Sequence, residues 1–213
     1  MQQGADLPAA GYPSGWPMRA VFGGLTNVLY PNTPPRSNLE WFALNTAADS
    51  PALVNSAGSG TVGVVACPVD VGQMVSKVTV LIGGTAAVSP THSFAALYGG
   101  TGSAPALLGQ STDATSTAIG ASAAFSWTIP APVTVNAVTC PYGFLYVGIS
   151  VTAATLPSAI GVTAIPPVAG QYQWFANGAL FFSANFGSAV AGTAPSSITS
   201  TTKVASAPIV VLT

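Results

Sequence analysis

The stretch MVSKVTVLI at residues 74–82 decides the fold class, because successive side chains along it alternate with the period of a β-strand. One face carries Met74, Ser76, Val78, Val80 and Ile82, and the other carries Val75, Lys77, Thr79 and Leu81. The pair Gly83-Gly84 follows and predicts a turn. The stretch therefore predicts a β-strand that ends at a tight turn.

Segments of the same kind continue on both sides of this strand, separated by loops rich in Gly, Pro, Ser and Thr. The predicted strands are Thr61–Ala66, His92–Tyr98, Ala106–Gln110, Ala123–Ile129, Val133–Val138, Gly143–Thr152, Gln171–Phe175, Ala179–Ser183 and Pro208–Leu212. Gly, Ser and Thr interrupt the Ala-rich stretches, so we predict no helix. Short strands at this spacing favour an all-β domain over residues 58–213, either a sandwich or a barrel, and we expect an antiparallel β-sandwich of the jelly-roll kind.

Residues 1–57 differ from the rest and predict an extended N-terminal arm. They hold seven of the 18 prolines, and such a density excludes long helices and central strands. The segment Asn55–Gly60 is the predicted boundary. Large apolar side chains on an extended arm must be buried against another surface, such as the arm's own domain, a neighbouring copy or a particle. We predict assembly contacts at Trp16, Phe22, Tyr30, Trp41 and Phe42.

The charge of the chain excludes several classes of partner. Its 213 residues include only four Lys and Arg and five Asp and Glu, with a net charge of −1. Four cations cannot form the basic patch that nucleic-acid binding needs. A nearly neutral surface favours association, so we expect copies of this chain as partners. No run of about 20 residues is continuously apolar, so we expect no membrane insertion. The first residues have neither a cationic nor an apolar region, so we expect no secretory signal.

Residues able to carry chemistry are few, and we predict no catalytic, cofactor-binding or metal-binding residue. The single histidine, His92, lacks a Gly-x-Ser-x-Gly partner motif. A pair of carboxylates for glycoside cleavage would have to come from Asp6, Glu40, Asp49, Asp70 and Asp113. Calcium could use Asp70 or Asp113. We favour turn formation for both, in which each carboxylate bonds to its own backbone.

The two cysteines and an aromatic cluster leave alternatives open. Cys67 and Cys140 each precede a proline, and we favour buried thiols over a disulfide. Tyr172 and Trp174 alternate onto one face of a predicted strand. We favour core or subunit interface for these two aromatic residues, and a sugar-stacking platform is the alternative.

Several segments together resemble virion proteins of tailed phages that infect actinobacteria. They are Val75–Val80, Gly83–Ala87, Pro90–Phe94, Ala96–Tyr98, Leu108–Asp113, Tyr142–Ile149, Thr152–Pro157 and Ala207–Leu212. The resemblance is a pattern of strands and turns without a catalytic signature. It implies a β-sandwich module on the outside of a phage particle, on the capsid or the tail. The N-terminal arm lies outside it.

The resemblance leads us to expect a non-enzymatic structural protein, a capsid decoration or cementing protein on the exterior of the virion. The protein would be assembled in the host cytoplasm, with the major capsid protein or tail proteins and copies of itself as partners, and trimers would be typical. The alternative is a minor tail or fibre protein that binds a host-surface glycan. A secreted binding module or glycosidase is disfavoured because we expect no export signal.

Overall fold

The computed structural model describes residues 36–37, 47–50, 58–100, 104–141, 143–162, 183–187, 190–199, 202–203 and 207–213. These residues form an all-β structure in which every strand pair is antiparallel, and they contain no helix. Accordingly, this part of the chain has no helical segment with the length and hydropathy to cross a bilayer.

The strands are short and are joined by turns. In chain order they are β1 Arg36–Ser37, β2 Ala47–Ser50, β3 Val62–Pro68, β4 Met74–Leu81, β5 His92–Gly99, β6 Ala106–Gln110, β7 Ala124–Thr134, β8 Phe144–Thr152, β9 Ala159–Val162, β10 Ser183–Phe186, β11 Thr202–Lys203, β12 Ala207–Pro208 and β13 Val210–Leu212. They form three sheets: a four-stranded sheet in the order β1-β13-β4-β7, a six-stranded sheet in the order β11-β10-β3-β8-β5-β6, and a three-stranded sheet in the order β12-β9-β2.

The main hydrophobic core draws its side chains from both larger sheets. The four-stranded sheet supplies Val78, Val80, Trp127, Val210 and Leu212, and the six-stranded sheet supplies Val65, Ala95, Leu97, Val147 and Ile149. All of them are almost fully buried. A buried Val, Leu, Ile or Phe side chain contributes about 1.5–3 kcal/mol. This core is therefore the principal source of stability among the described residues.

The six-stranded sheet is also buried on its other face, where its side chains take part in a second hydrophobic cluster. The cluster contains Val62, Val64, Ala66, Phe94, Ala96, Tyr98, Phe144, Tyr146, Phe186, Ala194 and Ile198. Strands β3, β5 and β8 consequently have almost no exposed position. Two-sided burial explains why these three strands are nearly continuous apolar runs without alternation. Gly148 fits this packing, since a Cβ there would lie 3.0 Å from both Tyr98 Cε2 and Val62 Cγ1. Burial raises the pKa of Tyr98.

The predicted assignment of side chains to the two faces of the strand at 74–82 is confirmed from Val78 onward, but it is wrong at the start of the strand. Val75 is 0% exposed, whereas Met74 is 62% exposed, the reverse of the expected alternation. The cause is a β-bulge: the N–H groups of Ser76 and Lys77 both donate to the Thr213 carbonyl, at 2.7 and 2.8 Å. Two residues opposite one partner residue shift the side-chain phase by one position.

The prediction of separate strands at 123–129 and 133–138 is also wrong. A single strand, β7, runs through Pro130 and Pro132 to Thr134, and residues 137–139 form a turn. Proline is tolerated here because β7 is the terminal strand of its sheet, and because its ladder with β4 is interrupted between Thr128 and Val133, where both prolines lie. The Asn136 side chain shapes the turn, since its Oδ1 accepts from the N–H groups of Val138 and Thr139, both at 2.9 Å.

The other strand predictions within the described residues are confirmed, with shifts of one or two residues at most ends and with Ile209 separating β12 from β13. Strands β9 and β11, and β10 apart from Ser183, are not among the predicted strands. The predicted strand Gln171–Phe175, and Ala179–Ser183 apart from Ser183, lie outside the described residues. So does most of the predicted arm. Within it, β1 pairs with β13 and β2 pairs with β9. The division at residue 57 stays a prediction.

Candidate functional site

A hydrogen-bonded pair of His92 and Asp113 is the most chemically distinctive feature of the described residues. Nδ1 of His92 and Oδ2 of Asp113 are 2.6 Å apart. The same carboxylate accepts from the backbone N–H of Ser93 through Oδ1 at 3.0 Å and from Oγ1 of Thr115 at 3.3 Å. Both side chains of the pair are partly accessible to solvent. Because the carboxylate is the acceptor, the proton of a neutral imidazole lies on Nδ1 and the lone pair on Nε2.

Strand pairing brings the two residues together. His92 begins β5, and Asp113 follows the end of β6, which pairs antiparallel with β5. In an antiparallel pair the start of one strand lies beside the end of the other. Further backbone bonds continue the contact past the ladder, since the N–H of Ala114 donates to the carbonyl of Ser93 at 2.8 Å.

Gly192 closes over the pair from a third segment of the chain. It has a φ of +70°, and a Cβ at this position would overlap Oδ2 of Asp113 and lie 3.1 Å from Nδ1 of His92. Glycine is therefore required here for both backbone conformation and space. The pair thus fastens the start of β5 to the loop after β6, and the loop around residue 192 packs closely over it.

The hydroxyl groups of two serines near the pair are already engaged in the interior. Oγ of Ser93 accepts from Nε1 of Trp127 at 3.2 Å, and Oγ of Ser111 accepts from the backbone N–H of Ala95 at 3.1 Å. Ser93 and Ser111 are both buried. Among the described residues no serine hydroxyl is hydrogen-bonded to His92. The geometry therefore supports a structural fastening and lacks the nucleophile–base contact of a hydrolytic triad.

The predicted assembly residues cannot be compared with this geometry. Trp16, Phe22, Tyr30, Trp41, Phe42, Tyr172 and Trp174 all lie outside the described residues, as do Asp6 and Glu40. Their predicted roles stay predictions.

The remaining predicted polar residues can be placed. Asp49 lies in β2, and Asp70 lies in an exposed turn closed by the N–H of Gln73 donating to the Asp70 carbonyl at 3.0 Å. The expectation that Asp113 bonds its own local backbone is wrong, because the carboxylate bonds across to β5. Within the described part of the chain, no three His, Cys, Asp or Glu side chains come together as a metal site would require. Cys67 and Cys140 are both buried thiols, as favoured.

Sequence reasoning treated His92 and Asp113 separately and missed their pairing. A signal was present: the predicted strands 92–98 and 106–110 are adjacent in sequence and separated by a glycine-rich loop. Pairing them as a hairpin places His92 next to the residues that follow Gln110.

A second feature is an exposed apolar surface on two loops, residues 69–73 and 135–141, with the adjoining Met74, which we call the apolar loop pair. Val71 is 68% exposed and Val138 is 82% exposed. The loops are tied to each other, since the N–H of Gly72 donates to the carbonyl of Val135 and the N–H of Val135 donates to that of Gln73, both at 2.8 Å. The apolar side chains are therefore presented on hydrogen-bonded loops.

A void in the main core does not compete with these surfaces as a binding site. The void in the main core lies between Val80, Ile119, Trp127 and Ile149 and has no space for a water molecule. It is a packing gap.

No protein-family model matches this chain, and no curated protein matches it significantly. The resemblance to phage virion proteins therefore stays a prediction.

Proposed function

We propose that this chain is a non-enzymatic structural protein of a tailed-phage virion, a capsid decoration or cementing protein on the exterior of the particle. In this proposal the two larger sheets form a jelly-roll-like β-sandwich, and the N-terminal arm attaches it to neighbouring subunits. The observation that carries the proposal is the apolar loop pair, because hydrogen-bonded loops displaying Val71, Met74 and Val138 to solvent are typical of surfaces that associate.

The charge supports an assembled state. With a net charge of −1, the chain has little electrostatic repulsion between copies. Each exposed apolar side chain that becomes fully buried on assembly contributes about 1.5–3 kcal/mol. Many copies, each with a few such contacts, would hold neighbouring capsid subunits together by mass action.

Strand pairing by two parts of the predicted arm supports its proposed role in attachment. Arg36 and Ser37 pair with Leu212 and Val211, and residues 47–50 pair with β9. Two points of the predicted arm are thus fixed on the edges of two sheets by backbone hydrogen bonds. We propose that the aromatic residues of the arm then contact the shell or a neighbouring copy.

A second candidate is a minor tail or fibre protein that binds a host-surface glycan. The outer face of the four-stranded sheet favours it, because hydroxyl groups there can bond to sugars. Oγ1 of Thr79 and Oγ of Ser126 lie 2.7 Å apart on this face, and Thr128 is exposed beside them. Imaging the native particle decides between the two candidates, since a decoration protein lies on the head and a fibre protein on the tail.

The cementing role is tested with particles assembled without this protein. Adding back the wild-type chain should raise the temperature at which heads release their DNA. Val138→Asp should bind less and restore less, because a carboxylate at the contact must lose its hydration. Thr117→Asp, at another exposed position, is the control and should behave as wild type. Heads that are equally stable with and without the protein would argue against cementing.

A further inference from the structure

The three sheets expose six terminal strands, and five of them are protected against pairing with another chain. Strands β1, β11 and β12 have two residues each and contain Arg36, Lys203 and Pro208, respectively. Strand β2 has four residues and contains Asp49. Short length, charge and proline are the usual means of keeping a sheet edge from pairing.

The fifth edge, β6, is covered by the chain itself. Ala106 forms a bridge with Ser197, and the N–H of Leu107 donates to the carbonyl of Ser196 at 2.8 Å. The N–H of Ile198 donates to the carbonyl of Pro105 at 2.9 Å. The outer side of β6 therefore already has a partner.

The sixth edge, β7, is long and uncharged, and no other described strand pairs with its outer side. It has 11 residues, AFSWTIPAPVT, with no Lys, Arg, Asp or Glu. It ends the four-stranded sheet, where its ladder partner is β4. Across the described residues, no backbone hydrogen bond reaches Ala124, Ser126 or Thr128 from any segment other than β4. This edge lacks the protection that the other five have.

The phase of the ladder shows which groups point outward. The N–H of Ile82 donates to the carbonyl of Ala123 at 2.8 Å, so Ile82 and Ala123 are a hydrogen-bonded pair. In an antiparallel ladder such pairs recur at every second residue, so Phe125 and Trp127 bond to β4. The N–H and C=O groups of Ala124, Ser126 and Thr128 consequently point to the open side.

The prolines limit the open edge to one half of the strand. The ladder with β4 is interrupted between Thr128 and Val133, and Pro130 and Pro132 lie in this gap and have no N–H group to offer. The usable edge is therefore Ala124–Thr128, with Ser126 at its centre. All three outward residues are small, uncharged and exposed, and Phe125 and Trp127 between them face inward.

We infer that the open edge of β7 pairs with the same edge of a second copy of this chain, antiparallel and about a two-fold axis at Ser126. In this register Ser126 faces its counterpart, and Ala124 faces Thr128 of the other copy. No like charges meet across the axis, since Lys77 is the one charged residue of β4, β7 and β13 and lies on β4, one strand inward. The pairing joins the two four-stranded sheets into one continuous sheet. It deepens the proposed assembly role by naming a partner and a contact.

A charge test addresses the register. Sedimentation velocity of the full-length wild-type chain should show dimers that increase with concentration. Ser126→Lys and Ser126→Glu should each be at least tenfold weaker in self-association, because like charges then face each other across the axis. An equimolar mixture of the two should regain the dimer as a heterodimer. Thr79→Lys is the matched control, since its charge lies one strand inward, about 14 Å from its counterpart across three strand spacings.

Crosslinking provides a second measurement with a smaller substitution. Directly opposed residues in a hydrogen-bonded antiparallel pair have Cα atoms about 5.5 Å apart, which a disulfide can span. Ser126→Cys should therefore form a covalent dimer under mild oxidation, and Thr79→Cys should not. The native thiols of Cys67 and Cys140 are buried and should not interfere.

Three results would overturn the inference. They are a wild-type chain that stays monomeric at every concentration, association that Ser126→Lys leaves unchanged, or equal crosslinking of Ser126→Cys and Thr79→Cys. None of these results bears on whether the protein is part of the virion. Conversely, absence of the protein from purified virions would refute the proposed function but would leave the inferred β7 contact intact.

Discussion

The indole N–H of Trp127 donates to Oγ of Ser93 at 3.2 Å inside the main core, where both side chains are buried. Trp127 belongs to β7 of the four-stranded sheet, and Ser93 belongs to β5 of the six-stranded sheet. The bond is therefore a polar link between two sheets that share the main hydrophobic core. Ser93 also lies next to His92, so the link and the His92–Asp113 pair meet at the start of β5.

Replacing Ser93 with Ala should lower the free energy of unfolding by about 1–3 kcal/mol, because it leaves the buried indole N–H without an acceptor. Urea denaturation followed by circular dichroism measures the loss. The double variant Ser93→Ala with Trp127→Phe should lose less than the sum of the two single variants. Strict additivity would mean that the hydrogen bond contributes nothing.

The β-bulge in β4 predicts opposite results for two neighbouring residues. Val75→Ala should cost about 1.5–3 kcal/mol, since Val75 is fully buried in the main core. Met74→Ala should stay within about 0.5 kcal/mol of wild type, because Met74 points to solvent. Thermal unfolding of both variants compares them directly. Equal losses would contradict the shift of faces at Ser76.

Replacing Gly192 with Ala should lower the free energy of unfolding for two reasons, one conformational and one steric. Gly192→Ala should cost about 1–3 kcal/mol for the left-handed backbone alone. The overlap of its Cβ with the Asp113 carboxylate adds to this cost. Gly72→Ala is the control, because Gly72 has a φ of +88° and no atom within 4 Å of the added Cβ. Calorimetry should rank Gly192→Ala as the less stable variant. The reverse order would mean that the His92–Asp113 pair moves aside freely.

Cys140 predicts a loss of stability in alkaline solution. Burial raises the pKa of this thiol, while hydrogen bonds with Thr139 and Asn136 oppose the rise. Unfolded chains ionise the thiol at its ordinary pKa of about 8.5, whereas folded chains keep it protonated. Its contribution to stability is therefore complete below that pH and is lost as the pH rises toward the folded pKa, by at most about 1.4 kcal/mol per pH unit.

Unfolding midpoints at pH 7 and pH 9.5 measure this effect. The wild-type chain should lose more stability between the two conditions than Cys140→Ala does. Identical losses would show that the thiol of Cys140 titrates equally in both states.

The sequence predicts those features that depend on local pattern. Strand Ala106–Gln110 has its predicted bounds, because a glycine-rich loop precedes it and a Ser/Thr-rich loop follows it. The pattern predicts two strands, Ala123–Ile129 and Val133–Val138, where the structure has the single terminal strand β7, whose ladder with β4 is interrupted between Thr128 and Val133.

Features that depend on distant partners are not visible in a local pattern. The bulge at Ser76 is set by the carbonyl of Thr213, 137 residues further along the chain. The His92–Asp113 pair depends on how β5 and β6 pair, and its glycine cover comes from residue 192. Periodicity assigns side chains to faces, but it does not say which strands are neighbours.

The position of β13 between β1 and β4 has a consequence for synthesis of the chain. Residues 210–212 of β13 pair with residues 78–80 of β4. More than 120 residues must therefore be synthesised after β4 before β13, its second neighbour, exists. A ribosome must therefore translate nearly all 213 residues before the four-stranded sheet can close. Contacts this remote along the chain make folding slow. Until residue 212 has been synthesised, β4 therefore lacks one of its two neighbours.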